Sequence, residues 1–510
     1  MNQLDVAIVS IFAITMVSLK WIKSAHPKIS LPPSPKSYPL LGNLPVMPVK
    51  DEHIAYRNWS RELNSDVIRI QLPGANLIIV KSARAASALL EKSSSNLLSR
   101  PKIPIIDTDL FDLTQLLALL RYGERWKHSR RLMHLSFRKS AVPMHFGTQT
   151  KHARKAATRI LERPDGYVRI LSRMLGSQIL SCVYGYEVSS SDDEILQLAE
   201  NASAHLGKAL MPFNFLVNFI PWLKRVPSWF PGTGWKQTTR EWSQEFVRTI
   251  SLPYEHTVTQ VAVGAAAHSA LSQILQSFPN QGEDITEEQK DLAMWTAGSV
   301  FTAAVDSLHA TLQVIILLMM VYQDVQSKAQ KEIDGITEGK RLPEMSDLQD
   351  MPYTRSVILE ALRWLPITPL GIPRICEDDV HHNGYTIPKG ALVFGNVWAI
   401  NRDEERYHDP ETFLPERFLD PKTPEPVSFG FGRRICPGIH FAQSSLFINV
   451  ATILSTFDIR PVQDEQGKDI LPEIGLVMGA LAMNPIPFQC TIRPRSDIHR
   501  RLLTDEIYAD

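Results

Sequence analysis

Residues 429–438 read Phe429-Gly430-Phe431-Gly432-Arg433-Arg434-Ile435-Cys436-Pro437-Gly438, and an apolar helical pattern follows from Ile439 to about Thr456. Glycines permit close backbone approach, and free N–H groups at a helix start can point at a sulfur and stabilise a thiolate. Arg434, two residues earlier, supplies a cation able to pair with a carboxylate. Such a thiolate can act as a nucleophile, a zinc ligand or a haem-iron ligand. His440 gives a C-x3-H spacing, but no second ligand pair accompanies it, which argues against zinc.

The decapeptide resembles the haem-binding loop of the cytochrome P-450 superfamily, F-x-x-G-x-R-x-C-x-G. It matches at Phe429, Gly432, Arg434, Cys436 and Gly438. Average residue usage puts a chance match in a chain this long on the order of one in ten thousand. The resemblance implies a single large, mainly α fold with a minor β-sheet. Haem b would lie between a long central helix and the Cys loop, with Cys436 as the iron's axial thiolate and Phe429 in the cradle.

Working outward, other elements fall in the order the resemblance requires. Glu360-Ala361-Leu362-Arg363 is an E-x-x-R with acid and base on one helix face, and Pro415-Glu416-Arg417-Phe418 stands where the family has P-E-R-F. The resemblance makes Glu360, Arg363 and Arg417 a buried structural network. Trp126-Lys127-His128-Ser129-Arg130 is similar to the W-x-x-x-R helix, whose indole and guanidinium hold a haem propionate. Arg374 falls where a propionate-binding His or Arg usually sits. Two propionates need two or three partly buried cations, and Arg130, Arg374 and Arg434 supply three.

The long helical stretch from Thr286 to about Asp334 carries Ala303-Ala304-Val305-Asp306-Ser307. An acid after so apolar a run is costly unless it has partners or work. In the family the corresponding pattern is [A/G]-G-x-[D/E]-T. Here serine replaces threonine and Ala304 replaces glycine. A hydroxyl backed by a carboxylate suits proton delivery to oxygen, so Asp306 and Ser307 are the expected catalytic pair. Serine lacks the methyl group that restricts χ1, which leaves coupling less tightly set. The reading is a monooxygenase inserting one oxygen atom from O2 into a C–H bond. The alternatives keep the fold but drop oxygenation, as a haem isomerase or a haem-binding carrier or sensor.

No G-x-G-x-x-G follows a strand, and too few residues follow Cys436 for a flavin module. The resemblance implies that electrons come from NADPH through a separate membrane-bound cytochrome P-450 reductase, with Lys127, Arg131, Lys139 and Arg433 as a basic docking face. Candidate pocket residues Val300, Ala303, Leu370, Ile372 and Met478 favour a lipophilic small molecule. The stretches Pro388-Lys389-Gly390, Asn396 to Ile400 and Asp409-Pro410 look like fungal microsomal members of the O-methylsterigmatocystin-oxidoreductase type. Such enzymes often decorate terpenoid, polyketide or indole scaffolds, so the expected role is fungal secondary metabolism or xenobiotic oxidation.

The 510 residues carry 54 basic and 54 acidic side chains, which leaves no electrostatic reason to expect nucleic acid. Four scattered cysteines argue against a disulfide scaffold and fit a reducing compartment. Val6 to Leu19 is an apolar run at the short end of a bilayer span. Asp5 precedes it and Lys20, Lys23 and Lys28 follow, so the positive-inside rule leaves the rest cytosolic. The expected organisation is an anchor at 1–23, a proline-rich strap at 24–45 and a catalytic domain at 46–510, on the endoplasmic reticulum membrane. Aromatics among prolines at 211–235 suit a lip dipping into the membrane interface. Alternation broken at Pro73-Gly74 predicts a hairpin over 65–82. Helices are predicted at 83–92, 123–138, 146–162, 167–184, 192–210 and 346–365, with short strands near 371–376, 383–397 and 474–493.

Overall fold

The computed structural model describes residues 30–507 apart from 93, 107–110, 191, 211–213, 219, 279–284 and 480–481. The apolar N-terminal run lies outside the described residues, as do Phe213 and Phe219 of the aromatic segment. Helix α1 (Glu52–Glu62) leads to an antiparallel hairpin, β1 (Val67–Leu72) and β2 (Ala75–Val80). Gly74 makes the turn at φ +77°, as the alternation predicted. Helix α2 (Ala83–Ala86) then widens into a π-helical turn at Ser87–Lys92.

The helical body follows: α3 (Glu124–Phe137), α4 (Phe146–Glu162), α5 (Tyr167–Tyr184), α6 (Glu194–Leu210), α7 (Trp235–Ala262), α8 (Ala270–Gln276) and α9 (Glu287–Val321). Next come α10 (Gln323–Thr337) and α11 (Pro352–Trp364). Short strands β3 (Arg374–Ile375), β4 (Val380–His382), β5 (Tyr385–Ile387) and β6 (Leu392–Gly395) precede α12 (Val397–Ile400). Helix α13 (Ile439–Thr456) carries the chain out of the cysteine loop. Strands β7 (Phe457–Gln463), β8 (Asp469–Ile470), β9 (Leu476–Val477), β10 (Asn484–Pro485) and β11 (Cys490–Pro494) lead to α14 (Asp497–Ile507). The largest sheet has four strands in the order β1-β2-β6-β3, with β2 and β6 parallel. The fold is mainly α with a minor β component.

A capping box between Thr286 and Gln289 starts α9. From Ala293 to Phe301 and from Ala310 to Met320 nearly every residue is buried, so this helix is the centre of the core. Burial of side chains such as Leu317 and Met319 stabilises the fold by about 1.5–3 kcal/mol each. Among the described residues α9 is the one helix long and apolar enough to cross a membrane, yet most of that apolar stretch is packed inside the protein.

The single helix expected over 286–334 is two. Tyr322 leaves helical geometry (φ −103°, ψ 76°), and side chains stop the first helix. The Gln323 amide donates to the carbonyls of Met319 and Met320 at 3.1 and 2.8 Å, satisfying helix-end acceptors without proline or glycine. The helix expected from 346 begins at Pro352, whose fixed φ suits the first helical position. Helix α7 carries Pro253 inside it and was not legible from the pattern; burial of Phe246 and Ile250 holds it together.

Two exposed apolar regions stand out. Leu40 and Val49 are almost fully exposed, and Trp222, Trp229 and Phe230 project from 221–230. The aromatic segment is divided: Phe215 packs edge-on against Trp242, with centroids 5.9 Å apart. The ammonium of buried Lys236 donates to the carbonyls of Lys224 (2.7 Å) and Val226, fixing the exposed ledge to the start of α7.

Candidate functional site: the cysteine loop and the arginines around it

The loop before α13 takes its shape from two glycines. Gly430 sits at φ +87° and Gly432 at φ +53°. A Cβ on Gly432 would lie 2.9 Å from the carbonyl oxygen of Leu90, which the π-helical turn presents, so only glycine fits. Gly432→Ala is expected to cost about 1–3 kcal/mol of stability. A lowered melting temperature, with a lowered haem-to-protein ratio, checks it. The Cys436 N–H donates to the Phe429 carbonyl at 2.8 Å and closes the loop. The Gly438 N–H reaches the Cys436 sulfur. Burial pushes the free thiol above its ordinary range; the Gly438 N–H and the Arg130 guanidinium oppose that shift.

Four arginines gather beside this loop. Arg434 donates to the carbonyls of Leu98 (2.7 Å) and Leu120 (2.9 Å), and its guanidinium stacks 4.6 Å from the Trp126 ring centroid. Arg374 donates to the carbonyls of Leu90 and Phe431, both at 2.7 Å. Arg100 donates to Ala118, Ile372 and Pro373. Arg130 lies 5.9 Å over the Trp126 ring, half-buried. No carboxylate pairs with any of the four among the described residues. Burial and their mutual repulsion bring Arg100 down to about 9 and Arg434 to about 10; burial brings Arg374 to about 10. Trp126 was expected to offer its indole N–H; what the structure adds is its ring face, used by two cations. Arg100 escaped the sequence reading, because nothing in Ser99-Arg100-Pro101 shows that the chain folds it back onto the Ile372-Pro373 segment that leads into β3.

Below this wall lies the expected charge network. Arg363 donates to both oxygens of Glu360, at 2.7 and 2.8 Å, and to the carbonyls of Asn401 and Pro410. Arg417 adds a 3.2 Å bond to Glu360, and the Leu414 N–H a 2.7 Å one. Glu360 and Arg363 are wholly buried.

On α9 the two expected catalytic groups turn to different partners. Asp306 accepts a hydrogen bond from Ser203 of α6 at 2.8 Å. The Ser307 hydroxyl donates back to the Ala303 carbonyl at 2.8 Å. Ala303, in the middle of a core helix, is exposed. Ile372 and Met478 are exposed, whereas Val300 is buried and Leu370 packs against the hairpin sheet.

The family model for cytochrome P450 matches residues 32–491. The chain belongs to the cytochrome P450 family. It is 35% identical to a cytochrome P450 monooxygenase from Armillaria gallica, over 99% of this chain and 100% of that one. It is 34% identical to another from Coprinopsis cinerea, over 93% of this chain and 91% of the relative. Its fold superimposes on a zebra fish cytochrome P450 with progesterone at a TM-score of 0.72, 22% identity, covering 88% of this chain and all of that one. This cytochrome P450 is therefore a haem-thiolate monooxygenase. Its haem is held by a cysteine thiolate, and its electrons come from NADPH through a reductase. The residues present fit that cofactor: three buried arginines and the half-buried Arg130, none paired with a carboxylate among the described residues, flank a cysteine whose sulfur meets a helix N-terminus.

Proposed function

We propose that this cytochrome P450 is anchored in the endoplasmic reticulum membrane by residues 1–23 and hydroxylates a lipophilic small molecule of fungal secondary metabolism. The arginine wall carries the assignment of residues. Arg130, Arg374, Arg434 and Arg100 would hold the propionates, Trp126 supports two of these guanidiniums, Phe429 closes the loop and Cys436 would supply the thiolate to the iron. When bound, the haem supplies oxygen activation favoured by thiolate donation.

The chain's own residues do the rest. Asp306 and Ser307 move protons toward the reacting oxygen. Ala303 and Ile372 line the substrate space and exclude water, which favours an apolar substrate. Trp222, Trp229 and Phe230 rest at the membrane interface, the side from which a lipophilic molecule arrives. NADPH consumption in reductase-containing membranes, with a panel of terpenoids, polyketides and indoles, tests the substrate reading. A hydroxylated product from one class supports it; consumption stimulated only by polar, water-soluble compounds sinks it.

Arg100→Ala removes a cation and three hydrogen bonds to carbonyls. Charged hydrogen bonds contribute about 1.5–3 kcal/mol, so haem is expected to dissociate about 10- to 100-fold more readily. Haem transfer to an excess of apo-myoglobin measures this rate.

A further inference from the structure

Helix α9 has a second working face. Phe301, Thr302, Val305 and Asp306 line a cavity of about 400 Å³ that α5, α6, α7 and the Met478-Gly479 segment enclose with α9. At 100° per residue, this face points away from the one carrying Ala303 and Ser307. A second, more open cavity of about 390 Å³ shares Ser172 and Glu200 with the first and reaches His309. The shared wall is polar: Glu200 pairs with Arg173 at 3.0 Å. The two cavities share that wall, the inner one is lined by Asp306, and a volume of 400 Å³ holds on the order of ten waters.

We propose that Ser203 is a positioning residue for Asp306, holding its carboxylate in the inner cavity, where it takes up protons arriving through the joined cavities. This rests on Asp306 acting as proton carrier. The overall balance is RH + O2 + 2 H+ + 2 electrons → ROH + H2O, with electrons from NADPH through the reductase. Each proton passes from cavity water to a carboxylate oxygen of Asp306. The protonated side chain turns about χ1 toward Ser307, whose hydroxyl accepts that proton while passing its own to the reacting oxygen. The carboxylate then returns to the Ser203 hydroxyl. Because Ser203 stands on α6, movement of that helix changes how often the carboxylate faces inward.

The test uses the full, haem-loaded chain in reductase-containing vesicles, with NADPH and O2 alone. Ser203→Ala is expected to raise both the share of electrons lost as hydrogen peroxide and the solvent deuterium isotope effect, the former about threefold or more. Ser203→Thr, which keeps the hydroxyl, restores both. Amide hydrogen exchange of α6 in the resting protein separates a packing role from a positioning one. Faster exchange in Ser203→Ala with an unchanged isotope effect overturns the proposal, as does no change at all. If Asp306→Asn alters peroxide yield and isotope effect while Ser203→Ala alters neither, the carrier stands and the positioning role falls. If Asp306→Asn alters neither, both fall.

Discussion

In Cys436→Ser, the strongly red-shifted Soret band of the reduced, carbon-monoxide-bound protein is expected to disappear, and turnover with it. The band reports thiolate ligation of the iron; a serine hydroxyl remains protonated and donates far less electron density. The fold should survive. The loop is closed by backbone bonds, the Cys436 N–H to Phe429 and the Gly430 N–H to Val427, which the substitution leaves in place. Absorption spectra of wild-type and variant membranes, beside a thermal melt, give the answer. A red-shifted band that persists in the variant would move the ligand elsewhere and remove Cys436 from the centre of the site.

Glu360→Ala is expected to have the largest effect on stability. It strands Arg363, which is wholly buried, and removes the carboxylate from Arg417 as well. Removing one partner of a buried ion pair costs about 3–5 kcal/mol, against a total stability of about 5–15 kcal/mol. The variant should therefore accumulate poorly and hold little haem. Arg417→Ala is expected to cost less, because Glu360 keeps two bonds from Arg363 and one from Leu414. Urea unfolding of the purified chains, or the haem-to-protein ratio where yield is low, ranks them. A Glu360→Ala midpoint equal to wild type would mean that the network stabilises nothing.

The cysteine loop, the E-x-x-R and the W-x-x-x-R were legible because each is local: its residues lie within one turn or one helix. The hairpin at 67–80 was legible for the same reason, through alternation and a Pro-Gly turn. Arg100 was not, since its partners Ile372 and Pro373 are some 270 residues away. Nor was the break at Tyr322. The Gln326 amide bonds both Met319 and the Ile459 carbonyl, so part of what ends α9 comes from β7.

The chemistry was written locally: a cysteine at a helix N-terminus within a glycine loop, several cations near it in the motif order, and an acid beside a hydroxyl on an apolar helix. These are properties of residue type and spacing. How the groups divide their work came from packing between distant segments. It placed four arginines on one wall, with backbone carbonyls rather than carboxylates as partners. It also turned Asp306 to Ser203 and Ser307 to its own helix. Adjacent residues on a helix point 100° apart, so neighbours in sequence serve different faces, and which face meets a cavity depends on the helices packed around it.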